Sequence, residues 1–68
     1  MTHDQELMLA DRHIVRAEER VILQLQHIEH MEAKGQDTDL AEDVLLALER
    51  SLLAMQEHRK RLLDDPPA

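Results

Sequence analysis

The fold class this sequence predicts is an all-α antiparallel helical hairpin that dimerises into a four-helix bundle. Three observations point to it. Two long segments carry apolar residues at heptad spacing, no Gly or Pro interrupts either of them, and one short punctuation, Lys34-Gly35-Gln36-Asp37-Thr38, separates them. Apolar residues repeating at three and four positions mark a helix with a coiled-coil-like seam. The chain of 68 residues is then one domain over 1–68. Helix 1 is expected over about 3–33, the turn over 34–38, helix 2 over about 39–63 and a frayed tail over 64–68.

The first helix begins at a capping box. Thr2-His3-Asp4-Gln5 places Thr at the N-cap and Gln three residues on. Asp4 and Glu6 follow in the first turn, where the helix dipole favours negative charge. Leu7, Ile14, Val21 and Ile28 form the a row of the seam, and Ala10, Ala17, Gln24 and Met31 the d row. Gln24 is the polar interruption, a residue type that can set register at some expense of stability. A further row, Met8, Val15 and Ile22, makes the apolar surface wider than one partner helix would cover.

Gly35 suits the position just past the first helix, where a left-handed residue closes the helix end. Asp37 or Thr38 caps the second helix, and Asp39, Glu42 and Asp43 lie in its first turn. Leu45 and Leu52 mark its a row, and Ala41, Leu48, Met55 and Leu62 its d row. Leu46 and Leu53 add a second row, Ala47 and Ala54 a third. Arg59, Lys60 and Arg61 match the dipole at its C-terminal end, and Asp64-Asp65-Pro66-Pro67 stops it.

A short connection joins antiparallel neighbours. Folding the chain back on it pairs Leu7 with Leu62, Ile14 with Met55, Ala17 with Leu52, Val21 with Leu48 and Gln24 with Leu45. The acidic start of helix 1 then meets the basic end of helix 2. Two helices leave rows uncovered, so Met8, Val15, Ile22, Leu46 and Leu53 are the expected interface of a homodimer.

Composition narrows the function classes. A formal net charge of −7 disfavours nucleic acid and anionic membrane surfaces as partners. The absence of Cys rules out disulfides and Cys-based zinc sites. Phe, Tyr and Trp are also absent, which removes the largest contributors to burial from a chain already short for an independent core. The polar N-terminus does not read as a signal peptide, and no apolar run reaches the length of a membrane span. A cytoplasmic protein is the expectation.

Five histidines are the unusual residues. His27 and His30 flank Ile28 and are spaced as two metal ligands on a helix would be. They are read as boundary residues beside a core position. His13 and His58 each precede a seam position and fall level across the expected register. Asp11, Arg12 and Arg59 lie within a turn of them, and Arg59 holds a seam position where an apolar residue was due. Asp11, Arg12, His13, His58 and Arg59 therefore form the candidate ligand-binding cluster, suited to a metal ion or a small anion. The competing reading is an ion-paired bundle end.

Catalysis has little support. Ser51 faces Arg20 in the expected register, and no Glu-x-x-His motif of a di-iron bundle is present. His13 is not followed by the Pro of one phosphotransfer type, nor any His by the Lys-Gly of another. His58-Arg59-Lys60-Arg61 is locally basic but lacks the aromatic residues of an RNA-binding face.

The runs Ala10-Asp11-Arg12-His13-Ile14, Gly35 with Asp37-Thr38, and Ser51-Leu52 with His58-Arg59 resemble those of short bacterial helical-hairpin proteins without an assigned function. The resemblance spans nearly the whole chain. It implies a bacterial origin and carries over no catalytic residue. Taken together, the sequence reads as a small non-enzymatic protein-interaction or structural module, homo-oligomeric and without cofactor or metal. A ligand-binding protein built on His13 and His58 is the alternative, and an RNA-binding or phosphotransfer adaptor a second one.

Overall fold

The computed structural model describes residues 2–64. Two helices make up the fold, α1 over His3–Ala33 and α2 over Asp39–Asp64, folded against each other as a hairpin measuring 55 × 14 × 14 Å. The fraying expected from residue 64 onward falls outside the described residues except at Asp64, which is still helical.

Each helix end shows why the chain starts or stops there. The Thr2 hydroxyl accepts the Gln5 backbone N–H at 3.2 Å, and the Thr2 N–H donates to Gln5 Oε1 at 3.0 Å. Two amides with no partner inside α1 are thereby satisfied, as the capping box requires. At the other end the Gln36 N–H donates to the Met31 carbonyl and the Gly35 N–H to the Glu32 carbonyl, both at 2.9 Å. This nested pair is a Schellman motif, and it needs the left-handed backbone that Gly35 supplies at φ 71°. Asp37 and Thr38 divide the start of α2 between them. The Thr38 carbonyl accepts the first helical bond, from the Glu42 N–H, and the Asp37 carboxylate accepts the Asp39 N–H at 3.0 Å.

The seam between the helices follows the heptad rows. Ala10, Ala17, Ile28 and Ala41 are buried, and Leu7, Ile14, Val21, Met31, Leu45, Leu48, Leu52, Met55 and Leu62 are half-buried. Three of the four buried residues are alanines, whose small side chains let the backbones approach. Gln24 uses that proximity. Its Nε2 donates across the seam to the Ala41 carbonyl at 2.8 Å, so the polar residue of the d row is satisfied by the main chain of the other helix.

The seam is where burial ends. Met8 is 61% exposed, Val15 53%, Ile22 54%, Leu46 48% and Leu53 55%. Leu23 and Leu40 are exposed further still. No helix of the described residues is long and apolar enough to cross a membrane.

Candidate functional site

Heptad geometry gives the pair of helices two faces, one on each side of the seam. In an antiparallel pair the e rows of both helices meet on one side of the seam and the g rows on the other. Two grooves lined by these rows run along the structure. The first is bordered by Asp11, Ile14, Val15, Glu18, Gln56 and Arg59. The second holds a hollow lined by Ala10, His13, Ser51, Ala54, Met55 and His58. It continues toward the open end past Glu6 and Leu62, and a further hollow near the turn is lined by His27, Leu40 and Val44.

This division separates the five residues of the expected cluster. Asp11 and Arg59 meet in the first groove, where the Arg59 Nε donates to Asp11 Oδ1. His13 and His58 lie together in the second groove, as their level in the register suggested. Arg12 is in neither, and lies on the outside of α1 beside Gln5, Met8 and Leu9. The cause is helical pitch. Asp11 and His13 are two residues apart, so about 200° of rotation carries the carboxylate away from the imidazoles. The spacing itself contained this signal, because residues at i and i+2 do not share a helix side.

The Asp11–Arg59 pair also explains the basic residue in the seam. The Arg59 stem is half-buried at a seam position while the guanidinium turns out to the carboxylate, leaving side chains 41% and 55% exposed. An ion pair that open to solvent contributes about 0–1 kcal/mol. It is the one ion pair among the described residues.

On the other face, His13 and His58 border a shallow hollow of ≈ 260 Å³ whose remaining walls are alanine, serine and methionine. No group of three His, Asp or Glu side chains among the described residues is placed to hold a metal ion. His27 and His30 are both exposed and lie one turn apart on this same face, without a third ligand. Ser51, expected level with Arg20, lines the hollow with both imidazoles. No hydrogen bond joins its hydroxyl to either, and His58 is two turns away on the same helix, about 10 Å along the axis. A serine nucleophile needs a base within hydrogen-bond reach.

Compared with known proteins, the chain matches no family model, no curated protein and no solved structure.

Proposed function

We propose that the chain is a non-enzymatic interaction module. In this reading a hairpin too thin to make its own core covers its apolar rows with a second copy of itself, each docked pair of hairpins forming a four-helix bundle. One observation carries it. Met8, Val15, Ile22, Leu46 and Leu53 are each about half exposed or more, while the largest buried side chain is Ile28. Apolar rows running the length of both helices are the mark of an interaction surface rather than of a finished monomer. The polar residues point the same way, since Asp11 is held by Arg59 on one face, away from the two imidazoles on the other.

Sedimentation equilibrium on the purified chain tests this reading. Self-association at tens of micromolar is expected. A stable, fully helical monomer at that concentration overturns it.

A further inference from the structure

The two faces of the hairpin carry opposite charge. The first face is acidic along its length, through Asp11, Glu18, Glu29 and Glu32 on α1 and Glu42 and Glu49 on α2, with Lys60 and the Asp11-paired Arg59 as its basic exceptions. The second face carries Arg16, Arg20 and Arg61 together with His13, His27 and His58, with Glu6 as its acidic exception. Asp11 and Glu18 border one groove, with Arg59 between the helices, and His13, His27 and His58 the other, with Glu6 at its open end; the positive charge of the second face comes from its arginines. Both faces are also apolar. Val15, Ile22 and Leu53 accompany the acids, and Leu9, Leu23 and Leu40 the bases, all exposed.

Two copies meeting through the first face of each would set Glu18 and Glu49 of one against the same carboxylates of the other. Like charges placed together at an interface disfavour it. We infer that the copies instead associate heterologously, the acidic face of one hairpin lying on the basic face of the next. This rests on the reading of the chain as a self-associating module and names which surface covers which. The hairpin is 55 Å long, so a copy laid along it meets charged and apolar rows over the whole length of both helices. A contact between unlike faces leaves one acidic and one basic face free on every pair, so the assembly grows by stacking unless it closes into a ring.

Two charge-swapped full-length chains test the inference by sedimentation velocity. One carries Glu18→Lys with Glu49→Lys, the other Arg16→Glu with Arg20→Glu. All four positions are exposed and outside the seam, so the helices are retained, which circular dichroism checks. The wild-type chain is expected to form species larger than a dimer that shrink as salt rises. Each swapped chain alone is expected to associate roughly tenfold more weakly than the wild type, and an equimolar mixture to recover association. Two results overturn the inference while leaving self-association standing. One is tighter association of the Glu→Lys chain alone, the mark of acidic faces paired with each other; the other is tighter association of the Arg→Glu chain alone, the mark of paired basic faces. A wild-type chain that stays monomeric removes the underlying reading as well.

Discussion

Gln24 shows how a single polar residue fits an apolar seam. Its row membership was legible from the heptad, but its partner was not, because a main-chain acceptor has no sequence signature. The Ala41 carbonyl lies within the helical part of α2, so removing the Gln24 amide leaves no isolated buried acceptor. Gln24→Leu exchanges a bond worth about 1 kcal/mol for apolar contact, and its stability is expected to stay within about 1 kcal/mol of the wild type. Gln24→Ala loses both the bond and the stem, and should cost about 1–2 kcal/mol. Urea denaturation of the two variants checks this, and equal losses would show that the stem's packing contributes nothing beyond the bond. Asp11 is the contrasting case. Its pairing with Arg59 followed from the antiparallel register, but grouping it with His13 overlooked the rotation between neighbouring positions. Asp11→Ala should lower stability by no more than about 1 kcal/mol, since the pair it breaks is open to solvent. A loss of several kcal/mol in thermal unfolding would contradict that.

The helices were the most legible elements, because caps, apolar period and uninterrupted length all agree. Thr2 with Gln5 marks the start of α1, and Gly35 marks its end through a backbone angle that few other residues adopt. No atom lies within 4 Å of where a Cβ on Gly35 would stand, so replacing it is a matter of backbone strain and not of collision. Gly35→Ala is therefore expected to cost about 1–2 kcal/mol, the left-handed penalty of an L-residue, with helix content unchanged. Thermal melting followed by circular dichroism measures it. A neutral effect would mean that the turn can relax out of its Schellman geometry. Less legible was the start of α2, where two neighbouring residues each supply half of a cap. Either Asp37 or Thr38 alone satisfies the sequence rule, and only the backbone path decides which does what.

At the scale of the molecule, two helices enclose too little. The exposed rows were readable from the sequence because the apolar surface exceeds one seam. Which rows share a face depends on the antiparallel register, which pairs e with e and g with g. Leu53 serves as the probe of what covers them. In an isolated hairpin it is 55% exposed, and Leu53→Glu should change stability by no more than about 0.5 kcal/mol. In an assembly it is buried, and the same change should cost several kcal/mol and dissociate the copies. The second result is expected, read as a loss of association in sedimentation together with a fall in melting temperature.

The hairpin is closed by covalent chain at one end only, and this orders events in time. The Gln24–Ala41 bond spans 17 residues of sequence and the Asp11–Arg59 pair spans 48. Bringing the more distant pair together costs roughly 0.9 kcal/mol more in chain entropy. The helices should therefore zip from Gly35 outward, and opening should run the other way, from the ends at Thr2 and Asp64 inward. Amide hydrogen exchange would record this as protection greatest around Ile28 and Ala41 and declining toward both termini. A neighbouring copy laid along the whole length would clamp the two free ends together, so the gradient should flatten as concentration rises. The slope of protection along the chain is then a residue-by-residue measure of how far the docked neighbour reaches.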